Sequence, residues 1–176
     1  MRAIDQAIPG FSIESENAWQ NSTKFIYDVC CLNRPLDNWV QPRIRLEAEA
    51  VIAILDRCQT GDWLMVSSTA LISEISQTPE AIKRQQVMEL IAAAQINMKV
   101  TPENIKRAVD LQRLGFKSFD ALHIACAEAV KVDAFLTTDD RLLRKATSCS
   151  DRLKVRVHNP VAWIMETNTE LERENL

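Results

Sequence analysis

Two hydrophobic rhythms alternate along the chain, short continuous runs and longer stretches at helical spacing. Lys24–Val29 (KFIYDV) is short, β-prone and apolar, and predicts a buried strand. Asn33–Asp37 reads as a turn. From Pro42 onward, Ile44, Leu46, Ala48, Val51, Ile52, Ile54 and Leu55 recur with helical period, Pro42 suiting the first turn and Gly61 lying past the end. Trp63–Val66 predicts a second buried strand, after which Ser67 and Ser68 offer a cap for a short helix through Leu71, Ile72, Glu74 and Ile75. Pro79–Ala94 predicts a helix and Ile96–Val100 a third strand. Thr101-Pro102-Glu103 combines a cap, a first-turn proline and a first-turn acid; the helix it opens runs to Leu114 and stops at Gly115. Ser118 is placed to cap Phe119–Val130, which is apolar nearly all round and so belongs in a central, buried position. Ala134–Thr137 predicts a strand, Asp140–Ala146 a short helix, Leu153–Val157 an edge strand, and Asn159-Pro160 the start of a final helix.

Strands alternating with helices predict an α/β layer fold around a mostly parallel sheet. No linker divides it. The expected domain is 24–166, preceded by a flexible leader, 1–23, and followed by a charged tail, 167–176, that frays.

Composition narrows the chemistry. With 176 residues, 47% hydrophobic and 26% charged, the chain can bury one core, which excludes wholesale disorder. Three glycines, Gly10, Gly61 and Gly115, are too few and too scattered for a P-loop or a dinucleotide fingerprint, so any phosphate must be handled by other means. Five cysteines, an odd number without paired spacing, indicate free thiols. His123 and His158 lack zinc-ligand spacing. No apolar run is long enough for a membrane span, and the polar N-terminus lacks the build of a secretory signal; a cytoplasmic location is expected.

Several acids break the apolar pattern. Asp28 sits among Phe25, Ile26, Val29 and Leu32, Glu74 in a short apolar helix, and Asp120 at the head of the apolar Phe119–Val130 helix; Asp139 and Asp140 follow directly on a strand. Read singly, Asp120 suits a first helical turn, Asp139 an N-cap and Glu74 a solvated helix face. Asp28 is the hardest of them to read in so bland a way. In an open parallel sheet, ligands bind beyond the carboxyl ends of the strands, where these acids fall. Converging carboxylates repel unless a cation neutralises them, and all-oxygen ligands suit Mg²⁺ or Mn²⁺.

In these residues the chain resembles the PIN-domain family of nucleases. The resemblance spans about residues 24–166. It is carried by Tyr27-Asp28-Val29-Cys30-Cys31-Leu32-Asn33, by Ser67-Ser68 to Ser73-Glu74-Ile75, by Phe119-Asp120-Ala121-Leu122-His123-Ile124-Ala125, and by Leu136-Thr137-Thr138-Asp139. It implies a three-layer α/β/α domain and a Mg²⁺- or Mn²⁺-dependent ribonuclease. By position, it implies a catalytic quartet of Asp28, Glu74, Asp120 and Asp139. Asp28, Asp120 and Asp139 would hold metal, Glu74 would help orient water, and Thr137 would support the site. Val29 and Cys30 stand where the family often has Ser, Thr or Asn, and Arg141 where it often has an acid; Asp140 is the alternative ligand to Asp139. The small single-domain members resembled include the VapC-like toxins of toxin–antitoxin pairs, which implies RNA as substrate, an antitoxin partner and a homodimer. A domain that binds RNA or antitoxin without cutting is the alternative.

The net charge of −3 does not oppose RNA. Residues 1–20 and 170–176 each carry one base and three acids, net −2 apiece, so the remainder is +1, and +5 once the four site acids are set aside. Arg34 and Arg141, beside the acid-bearing elements, are the candidate RNA contacts. Arg43 and Arg45 are expected on a solvated face, and Trp39 is expected either to stack on a base or to pack.

Overall fold

The computed structural model describes residues 22–174, with side chains described through residue 169; the expected leader, apart from its last two residues, and the last part of the expected tail lie outside them. The first strand, β1 (Thr23–Tyr27), stops one residue before Asp28, and the short helix α1 (Val29–Asn33) begins where a continued strand and then a turn were expected. The physical reason is Asp28 itself, whose side chain accepts the Cys31 N–H and caps the helix. A single 3₁₀ turn over Arg34–Leu36 follows, then α2 (Pro42–Gln59).

The remaining elements keep the predicted order. They are β2 (Trp63–Ser68), α3 (Thr69–Ser76), α4 (Ala81–Ile91), β3 (Ile96–Met98), α5 (Pro102–Arg113), α6 (Ser118–Val130), β4 (Ala134–Leu136), α7 (Asp140–Ser148), β5 (Arg156–His158) and α8 (Pro160–Glu174). Ser68 caps α3 as expected, and Thr101 and Asn104 form a reciprocal capping box on α5. Ser118 does not cap α6; it is the first helical residue, and Lys117 occupies the cap without a side-chain bond. The last strand is shorter and later than Leu153–Val157, because a 3₁₀ turn at Ser150–Arg152 delays it. The final helix runs on to Glu174, well into the expected tail.

The five strands are parallel, in the order β3-β2-β1-β4-β5. Strand β2 is buried at all six positions, as befits an interior strand covered on both faces. Alternation splits the core into two. Phe25, Tyr27, Met65 and Leu136 face one layer, made by α1–α4 and Trp163 of α8; Ile26, Val66 and Phe135 face the other, made by α5, α6 and α7. The architecture is thus the expected three-layer α/β/α fold. Small side chains, Ala121, Ala125 and Ala127 with Ile124, let α6 sit tightly under the sheet. Among the described residues, no helix is long and apolar enough to cross a membrane.

Candidate functional site

The strand order reverses between β1 and β4, so a crevice opens beyond their carboxyl ends. Asp28 follows β1 and Asp139 follows β4, which places one acid on each side of the reversal. Thr137 bridges them. Its hydroxyl donates to Asp28 Oδ2 and accepts the Asp139 N–H at 3.0 Å. The other oxygen of Asp28 accepts the Cys31 N–H at 2.7 Å. Asp28 is only 5% exposed, and burial pushes its carboxyl up to about 6, against the opposing pull of the Thr137 hydroxyl, the Cys31 N–H and His123.

Asp139 is the N-cap of α7, accepting the backbone N–H of Arg141 at 2.7 Å and of Leu142 at 3.4 Å. Asp120 stands in the first turn of α6; burial raises its pKa, helped by Asp139 and Glu74 and opposed by Lys117 and His123. Glu74, on α3, meets His123 of α6, with Nε2 and Oε2 2.6 Å apart. The elements bring all four quartet acids near enough to Cys30 for their charges to act on its thiol. That thiol lies exposed on α1, and partial burial followed by the charges of Asp28, Asp139, Glu74 and Asp120 pushes it up to about 12. Asp139 thus caps α7, as one of its two sequence readings expected, and its charge acts on Cys30 and Asp120.

Asp140 is engaged elsewhere. Arg43 holds its two oxygens at 2.7 and 2.6 Å, and this pairing lowers its pKa. Of the two adjacent acids, Asp139 is the one bonded into the cluster. Arg43 was expected to be merely solvated; it also donates to Glu47 at 2.9 Å. Arg34 donates to Glu47 at 2.6 Å and to Asp37 at 2.9 Å, so two of its donors are already committed. Arg141 is exposed and, among the described residues, pairs with no carboxylate. Trp39 is 39% exposed at the edge of the loop before α2.

Two residues escaped the sequence reading. Glu47 is 2% exposed and also accepts Asn159 Nδ2 at 2.9 Å; its signal was an acid three residues after Ile44 and four before Val51, on the apolar stripe of α2. His123 is 1% exposed on the apolar α6, and the same oddity that singled out Asp28 applied to it.

Oxygen donors dominate, which suits a hard divalent cation. Each oxygen of Asp28 accepts one hydrogen bond and keeps lone-pair capacity for a cation. A cation would relieve the burial borne by Asp28 and Asp120 and the repulsion that Asp139 and Glu74 exert on Asp120. Among the described residues, no three His, Cys, Asp or Glu side chains form a ready-made metal-binding group, so the acids would have to draw closer to close on an ion. All five cysteines are free, as expected.

An all-parallel three-layer domain with carboxylates gathered at the reversal of strand order is the class of protein this geometry defines. Within that class, the sequence model of the PIN domain matches residues 39–147, more than half of the chain, and the chain belongs to the PIN-domain family. Asp28 precedes the matched span, so its place in the site rests on the hydrogen bonds above. No curated protein matches the chain. Among solved structures, the chain is similar to the crystal structure of VapBC2 from Rickettsia felis bound to a DNA fragment from their promoter, with a TM-score of 0.50 and 11% identity over 78% of this chain and 98% of that one. That likeness is one of fold.

Proposed function

We propose that the protein is a Mg²⁺- or Mn²⁺-dependent endoribonuclease and the toxin of a toxin–antitoxin pair. The observation that carries this is the Thr137 hydroxyl bonded to both the Asp28 carboxylate and the Asp139 N–H at the reversal of strand order, with the charges of Glu74 and Asp120 acting on Cys30 beside them. Asp28, Asp120 and Asp139 would hold the metal. Mg²⁺ or Mn²⁺, when bound, would activate a water and offset charge on the phosphoryl group. Thr137 keeps the Asp28 carboxylate and the Asp139 backbone in fixed relation. Glu74 supplies a carboxylate beside Asp120 that can orient water and accept its proton. Arg141 and Lys117, both exposed beside site acids, suit contacts to RNA phosphates; Arg34 has less to offer, with its Nε and Nη1 already bonded.

An antitoxin partner is proposed from two things together: the family, and a solved relative that is a toxin–antitoxin complex on DNA. A homodimer and a cytoplasmic location complete the proposal.

The test is cleavage of a single-stranded RNA with Mn²⁺ and with chelator. Wild type should cut only with the metal. Asp28→Asn and Asp120→Asn should abolish cutting while keeping the circular dichroism of the folded protein. Full activity in both variants overturns the assignment. RNA binding without cleavage, and without Mn²⁺ binding, establishes instead a PIN-fold binding module, the reading that the Val29, Cys30 and Arg141 departures would explain.

A further inference from the structure

Glu74 takes its side-chain hydrogen bond from another helix, not from its own. It lies on the short helix α3, and its side chain is 31% exposed. A flexible carboxylate on a two-turn helix has many rotamers, and a group that must orient water has use for one. What limits it comes from across the fold. His123 Nε2 lies 2.6 Å from Glu74 Oε2, and His123 is 1% exposed.

The imidazole cannot turn away. Phe119 stacks on one neighbour position at 5.9 Å and Phe135 on another at 6.5 Å, each tilted 23° from the ring. Its second nitrogen, Nδ1, is buried and has no hydrogen-bond partner among the described residues. A proton on Nδ1 would be a buried donor with nothing to accept it, whereas a proton on Nε2 has a carboxylate at hydrogen-bond distance. Burial and geometry thus both select the Nε2–H tautomer.

We propose that His123 is a positioning residue: its Nε2–H, locked by the Phe119 and Phe135 rings, fixes one oxygen of Glu74 so that the other is presented to the crevice shared with Asp120 and Cys30. The role rests on the nuclease reading of that crevice. The bond also ties α3 to α6, so it couples the two acids that arrive on helices, Glu74 and Asp120, into one unit. An imidazole is suited to this work because it is a rigid donor that packs like an aromatic ring.

The experiment uses the full chain with three substitutions. His123→Phe keeps the ring stack and deletes the donor. His123→Gln loses the ring but returns an amide donor near the Nε2 position. Glu74→Gln removes the acceptor charge. Nitrogen-15 spectra of the metal-free wild type should show a pyrrole-like Nε2 and a pyridine-like Nδ1, with the Nε2 signal moving in Glu74→Gln. His123→Phe should lose about 10–100-fold in kcat with KM little changed, and His123→Gln should recover much of that loss. A protonated Nδ1, an imidazole signal indifferent to Glu74→Gln, or wild-type kcat in His123→Phe each overturns the proposal. Should His123→Phe fail to fold, the spectra and the Gln variant decide it. Should Asp28→Asn and Asp120→Asn retain cleavage, the nuclease reading fails, while the imidazole signal still reports whether His123 holds Glu74.

Discussion

Asp28 is a residue that folding disfavours in its charged form. Burial raises its pKa from 3.8 to about 6, so between those values the folded state binds more protons than the unfolded one. Stability therefore falls as pH rises through that window, by about 3 kcal/mol in total for a shift of this size. In chelator, Asp28→Asn should be more stable than wild type at pH 7, by up to about 3 kcal/mol, because an amide escapes the desolvation of a carboxylate. Its Oδ1 can still accept the Cys31 N–H. The advantage should shrink as pH falls from 6 to 4. Urea unfolding followed by circular dichroism at pH 4, 5, 6 and 7 checks this, and a variant weaker than wild type at pH 7 contradicts it. A site acid that costs stability is the usual sign of a group kept for chemistry. The same anomaly, a charge in an apolar run, made Asp28 conspicuous in the sequence. A polar residue in an apolar run marked Glu47 and His123 too, but there it went unread, because their importance depended on partners as far as 112 residues away.

At the scale of elements, Glu47 is a hub. It receives Arg34 from the 3₁₀ turn, Arg43 from one turn earlier in α2 and Asn159 from the start of α8, while Arg43 reaches on to Asp140 at the head of α7. The network thereby fixes the start of the helix that Asp139 caps. Removing the central carboxylate leaves Arg34 half-buried and short of a partner, so Glu47→Ala should cost about 3–5 kcal/mol. Asp140→Asn, at the exposed end of the chain of pairs, should leave the urea midpoint near that of wild type. Equal midpoints for Glu47→Ala and wild type would contradict the hub. Helix periodicity showed α2 and its length from the sequence; it did not show that the basic residues Arg34 and Arg43 were spoken for, because ion pairing is decided by approach in space.

The whole molecule places opposite demands on one crevice. Two apolar layers clamp the sheet, and the strand reversal leaves their shared edge open to carboxylates that repel each other. A bound cation should therefore act on the fold as well as the chemistry. Mn²⁺ at a hundredfold excess over its Kd should raise wild-type stability by about 2.7 kcal/mol, seen as a higher Tm. Asp28→Asn and Asp120→Asn should lose that increment, and chelator should reverse it. A Tm indifferent to Mn²⁺ in wild type would count against a metal in this crevice.

The order of strands and helices, the parallel sheet, the central place of α6 and the free thiols followed from the sequence by itself, because periodicity, caps and glycine positions are local properties of the chain. The odd acids were equally local. Their company was not. That Thr137 bridges Asp28 and Asp139, that Asp140 is drawn off by Arg43, and that His123 rather than solvent meets Glu74 depended on crossovers bringing distant segments to one sheet edge. Element ends belonged to the same category: β1 stops before Asp28 because a cap bond to Cys31 outcompetes strand extension.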